Sequence, residues 1–142
     1  MASVDRYPKR IVCLTEETTE TLYLLGAQDR IVGVSGFTQR PPQARREKPI
    51  VSAFTSADLP KILALEPDMV LAFSDLQAEI VRDLIKSGLN VLTFNQRSVQ
   101  EILDVIVDVG AGDGSEVSVF SSLVGPKGRV VAIEAHPRSH RI

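Results

Sequence analysis

Four of the five positions from Val105 to Val109 are valine or isoleucine, and the run opens directly onto Gly110-Ala111-Gly112-Asp113-Gly114. A run so rich in β-branched side chains describes a strand buried on both faces of a parallel sheet. Glycines at its end allow a tight turn with positive φ and a close approach of backbone to a ligand. Ser115 can cap a helix to about Val124, Gly125-Pro126-Lys127-Gly128 supplies a turn, and Arg129–Ile133 makes a second strand ending at Glu134. A strand, glycine loop, helix and strand, with a carboxylate about twenty positions beyond the loop, is the recipe for a nucleotide-type cofactor. The glycines clear space, the helix N-terminus offers free N–H groups, and the carboxylate can take two ribose hydroxyls.

The chain before this stretch alternates strand and helix signals. Arg10–Leu14 reads as a strand, followed by a helix with Thr15 as its N-cap, Glu16 and Glu17 in its first turn and Gly26 as its stop. Arg30–Val34 is a second strand, and Ser35–Lys48, with Pro41-Pro42 and Arg45-Arg46, is an irregular surface loop. Ile50–Ala53 is a short strand, Asp58 caps a helix over Leu59–Leu65, and Met69–Phe73 is an apolar strand. An amphipathic helix over about Leu76–Ser87 turns Leu76, Ile80, Val81, Leu84 and Ile85 to the core. Asn90–Phe94 is another strand, and Ser98 caps a short helix, Val99–Leu103. The expected class is therefore α/β: a single domain over 1–142, a three-layer αβα sandwich of the Rossmann or flavodoxin type. Its doubly wound, mostly parallel sheet would hold about six or seven strands.

Composition narrows the function. An apolar fraction of 44% and a charged fraction of 24% are those of an ordinary globule. A net charge of −2 and the absence of Trp argue against nucleic acid and against an anionic membrane as partners. The single cysteine, Cys13, excludes an internal disulfide and a cysteine-based metal cluster, and its apolar setting predicts a buried, inert thiol. No apolar run approaches the ~20 residues of a membrane span. The opening MASVDRYPKR has no apolar core of a secretion signal, which predicts a cytoplasmic location. His136 and His140 lack a third ligand, so no metal site is expected. No Ser/His/Asp or Cys/His set has the spacing of a nucleophilic hydrolase.

Two family resemblances follow from particular stretches. DVGAGDG and VVAIEAHP resemble the first two motifs of S-adenosylmethionine-dependent methyltransferases. That resemblance implies Asp108, Gly110, Gly112 and Gly114 near the methionine part of the cofactor and Glu134 near the ribose. Separately, Arg10–Gly36, Pro41-Pro42-Gln43-Ala44, LPKILALEPDMVLAF and GLNVLTF resemble the N-terminal lobe of periplasmic binding proteins that capture cobalamin and iron–siderophore complexes. It implies a ligand at the carboxyl ends of the strands, against Ser35, Phe37, Phe54 and Phe73.

The two resemblances meet near Leu103–Val105, which predicts an engineered chimera: a binding-protein fragment, 1–103, completed by a methyltransferase-like fragment, 104–142. On that reading the chain is a scaffold and not an enzyme. Both ligand sites are vestigial and no cofactor is expected; S-adenosylmethionine or cobalamin is what a surviving site would take. Exposed aromatics, or exchange of the final strand, would then offer two routes to a homodimer.

Overall fold

The computed structural model describes residues 8–98, 101, 105–109 and 129–133. The chain divides into two compact units, one of them Pro8–Asn95 and the other including everything after it. In the first unit β1 (Ile11–Cys13), α1 (Glu16–Leu24), β2 (Ile31–Ser35), α2 (Ala44–Glu47) and β3 (Ile50–Ser52) are followed by α3 (Leu59–Ala64), β4 (Met69–Phe73), α4 (Ala78–Lys86) and β5 (Val91–Phe94). One turn of 3₁₀ helix, Asp75–Gln77, leads into α4.

All five strands are parallel, in the order β3-β2-β1-β4-β5. The expected α/β class with a parallel sheet is the one observed. Alternation along β1 sorts its side chains to two faces. Val12 and Leu14 join Val51, Ile62, Val70, Ala72 and Leu84, so α3 and α4 cover this face. Ile11 and Cys13 join Ile31 and Val34, with Leu22 and Tyr23 of α1 packed against them. Burial on both faces is why β1 reads as a continuous apolar run. At Gly33 an added Cβ would lie 3.0 Å from Leu65 Cδ1 and 3.1 Å from Val51 Cγ1, so the close packing of β2 there requires glycine.

Local signals place the helices well, with three differences. Asp58 caps α3, its Oδ1 accepting from the Lys61 N–H at 3.0 Å. Thr15 occupies the N-cap of α1 but makes no side-chain cap bond; its hydroxyl lies 3.3 Å from that of Thr18. The stretch read as loop contains α2, stabilised by the Lys48 N–H donating to Ala44 O at 2.9 Å. On α4, Leu84 is buried and Ile80 and Val81 pack beside it, whereas Leu76 and Ile85 are 61% and 57% exposed. The apolar stripe is narrower than its periodicity suggests: Leu76 lies in the 3₁₀ turn before α4, and Ile85 stands on its exposed side.

The second unit contains β6 (Val105–Val109) and β7 (Arg129–Ile133), paired in parallel with Val105 opposite Arg129 and Val109 opposite Ile133. The expected strand pair across a crossover therefore exists. Seven strands are present among the described residues, but they form a sheet of five and a sheet of two. Among the described residues no helix is long and apolar enough to cross a membrane.

Candidate functional site

Parallel strands bring all their carboxyl ends to one edge, and in open α/β sheets ligands bind outside that edge where the strand order reverses. Here the reversal falls between β1, whose next strand lies on one side, and β4, which lies on the other. The loops after β1 and β4 flank it.

The floor of this edge is organised by Gln77, which has no exposed surface. Its Oε1 accepts from the Phe73 N–H at 3.0 Å. Its Nε2 donates to Phe54 O at 2.8 Å and to Leu14 O at 3.3 Å. One carboxamide thus joins the ends of β1 and β4 to the loop after β3. In strand order β3 stands three places from β4, a separation of roughly 14 Å at the usual spacing. The loop after β3 therefore crosses the sheet edge to reach Gln77, carrying Phe54 with it. An isolated bridge between Ser52 and Ala57, and the Ala53 N–H donating to Ser56 O at 2.8 Å, hold this loop compact.

Beside it, the turn after β4 is strained. Ser74 has φ 68° and ψ 161°, a region populated almost only by glycine. Its hydroxyl accepts from the Leu76 N–H at 3.0 Å, which starts the 3₁₀ turn and delivers Gln77 beneath the edge. On the far side, Ser35 is buried and its Oγ accepts from the Phe37 N–H at 3.2 Å. The neighbouring Gly36 N–H donates to Ser52 O at 2.8 Å. Arg40 bridges this loop to α1, pairing with Glu16 at 3.4 Å and with Glu20 at 3.3 Å.

Of the binding residues expected from sequence, Phe54 and Phe73 are brought together by their shared bonds to Gln77, and both are half-buried. Phe37 stands at the end of β2, 59% exposed. Ser35 lies beneath it and shapes its turn. Gln77 was not among the expected residues; the only signal was a polar residue where the helix meets the strand end, which reads equally well as a solvated helix start. On the α1 face of β1, burial pushes the Cys13 thiol up to about 11, against weaker opposing hydrogen bonds from Thr18 and Thr19. Cys13 is thus the buried, unreactive thiol expected.

Arg45 and Arg46, expected as solvated loop residues, are exposed on α2 and line an open groove of about 350 Å³ with Thr38, Gln39, Pro42 and Ile50. Among the described residues no three His, Cys, Asp or Glu side chains gather to hold a metal ion. The second set of expected residues is largely beyond description. Asp108 stands on β6 opposite Ala132, while Gly110, Gly112, Gly114 and Glu134 lie outside the described residues.

A parallel α/β unit with aromatic residues at the carboxyl edge of its sheet is a frame on which open α/β proteins bind small molecules. The chain belongs to the periplasmic binding protein family, whose model matches residues 11–116. It is 30% identical over 118 residues to an uncharacterized ABC transporter substrate-binding lipoprotein of Bacillus subtilis, covering 80% of this chain and 37% of that one. It is 26% identical over 133 residues to a cobalamin-binding protein of Halobacterium salinarum, covering 92% of this chain and 36% of that one. Among solved structures it resembles the periplasmic vitamin B12 binding protein BtuF of Vibrio cholerae, with a TM-score of 0.60 and 28% identity over 68% of this chain and 38% of that one. The chain thus spans little more than a third of the length of these relatives.

These matches correct three expectations. The family match covers residues 11–116, Leu103–Val105 and Asp108–Gly114 among them, and nothing marks a junction between two parents there, so the chimeric scaffold reading falls. Nothing found supports a methyltransferase. The physical reason is that a glycine turn after an apolar strand serves any parallel α/β sheet, whatever it binds. The cytoplasmic expectation also gives way, since the relatives are a lipoprotein and a periplasmic protein. These relatives are binding proteins rather than enzymes.

Proposed function

We propose that this chain forms the ligand-capturing lobe of an extracytoplasmic substrate-binding protein serving an ABC importer, with a cobalamin-class metal chelate as cargo. The observation that carries this reading is the carboxyl edge itself. Phe37, Phe54 and Phe73 stand at the ends of β2, β3 and β4, and the backbone beneath Phe54 and Phe73 is satisfied internally by Gln77. Flat apolar side chains over a floor with no charge suit the broad face of a corrin ring better than a small polar solute. The kinship to a cobalamin-binding protein and to a vitamin B12 binding protein supports the same ligand class.

One sheet edge meets a ligand from one side, whereas well-formed sites bury 70–90% of a ligand's surface. The expected affinity of this chain alone is therefore weak, with a dissociation constant on the order of 0.1 mM. Titration with cyanocobalamin and with ferrichrome, followed by chemical-shift changes at the amides of Phe37, Phe54 and Phe73, tests the reading. Saturable shifts at these residues with cyanocobalamin support it. Saturation by ferrichrome alone would move the cargo to iron chelates. No shift with either at millimolar concentration would overturn the assignment.

A further inference from the structure

Gln77 never touches solvent, so it cannot touch a ligand, yet it bonds the backbone beneath Phe54 and Phe73 and the end of β1. We propose that Gln77 is the positioning residue of the ligand edge: its carboxamide sets the placement of the loops after β1, β3 and β4, and ligand affinity depends on it. The inference rests on the binding function proposed above.

The argument is one of connectivity. The loop after β3 crosses the sheet edge, and Gln77 bonds it to the far side: Nε2 to Phe54 O at 2.8 Å. The same amide group reaches Leu14 O, 63 residues away in sequence. Phe73, the third partner, ends β4, and its N–H would have no strand to continue into because Ser74 turns out of the β region. Only a side chain with one acceptor and two donors on adjacent atoms completes all three bonds. An ionised carboxylate of the same shape accepts from Phe73 but has no hydrogen for either carbonyl. A methionine of similar length offers none of the three bonds.

An edge whose loops are held before the ligand arrives avoids the entropy of ordering them on binding. Removing the amide should therefore weaken binding beyond what lost stability explains. The control is Leu84→Ala, which opens the core beneath α4 without touching the edge.

The experiment measures cyanocobalamin affinity, melting temperature and amide hydrogen exchange for the wild-type chain, Gln77→Met, Gln77→Glu and Leu84→Ala, at a temperature where all are folded. Both Gln77 variants should bind roughly tenfold more weakly, while Leu84→Ala lowers the melting temperature at near wild-type affinity. Exchange at Ala53 and Leu76, in the loops after β3 and β4, should quicken in the Gln77 variants, with Val70 in the sheet unchanged. Wild-type affinity in Gln77→Met, or an equal loss in Leu84→Ala, overturns the proposal. If Gln77→Met does not fold, the isosteric Gln77→Glu carries the comparison. If the wild-type chain binds no probe, the binding reading fails separately. The exchange pattern then decides the clamp: quickening confined to the edge loops supports it, and uniform or absent quickening overturns it.

Discussion

At the amino ends of β1 and β4 the chain is tied together in the open. The Asp68 carboxylate accepts from the Lys9 and Arg10 N–H groups at 2.7 and 3.0 Å, and the Arg10 guanidinium donates to Leu65 O at 2.6 and 2.9 Å. At the carboxyl ends of the same strands the ties are a buried neutral amide, the buried Ser74 hydroxyl and a strained turn. Both edges satisfy similar numbers of backbone groups. They differ in solvent: water can replace Asp68 or Arg10, whereas Gln77 has no exposed surface of its own. The ionic edge is thus tolerant and serves only stability. The carboxyl edge is held at its centre by buried neutral bonds, with the charges of Arg40, Glu16 and Glu20 paired at one side, which would suit the large flat ligand proposed above.

The comparison is most sharply tested at Gln77. Gln77→Met leaves one N–H and two carbonyls unpaired in the dry edge, and at about 1 kcal/mol or more for each unmade bond the expected loss is about 3 kcal/mol. Urea unfolding measures it, and a loss under about 1 kcal/mol would show that water reaches this edge after all.

Burial of β1 also sets a pH dependence. Burial raises the Cys13 thiol from 9.0 to about 11 in the folded chain, so the folded state holds its proton more tightly. The resulting stability is fully present below pH 9 and is lost as pH rises toward 11, by about 2–3 kcal/mol at 1.36 kcal/mol for each pKa unit. Unfolding at pH 8 and pH 11 should show this slope in the wild-type chain and lose it in Cys13→Ala, which separates it from other groups titrating in that range.

The amino edge should respond less. Asp68→Ala is expected to cost about 1 kcal/mol, because the freed Lys9 and Arg10 N–H groups turn to water, and to leave cyanocobalamin affinity unchanged. A change in affinity would mean the two edges are coupled. The smallest effect concerns the strain at Ser74. Ser74→Ala and Ser74→Gly both lose the bond to Leu76, but only glycine relaxes at φ 68°. Ser74→Gly should therefore be the more stable of the two by about 1 kcal/mol, although alanine is ordinarily preferred before a helix.

Much of the fold was legible because its signals are local. The apolar run of β4, the cap at Asp58 and the Pro60 that follows it each act within one turn or one strand. Alternation of strands and helices then left little choice but a parallel α/β sheet, while Phe37, Phe54 and Phe73 were singled out by the resemblance to the binding-protein family. The same locality misled at Asp108–Gly114, where a turn common to many folds was read as the mark of one cofactor and, with it, of a second parent. It misled at Leu76 and Ile85 too, since periodicity shows which residues share a face and not how much of that face another element covers.

The sequence by itself determined the strands, the helix starts and the parallel class, since propensity, capping and apolar period are properties of neighbours along the chain. Only the tertiary structure decided that Gln77 is buried, that the loop after β3 crosses the edge, and that Phe54 and Phe73 share a floor. The bonds responsible join Gln77 to residues 23 and 63 positions away. No local pattern encodes a hydrogen bond over that separation; it exists because three strand ends converge where water is shut out.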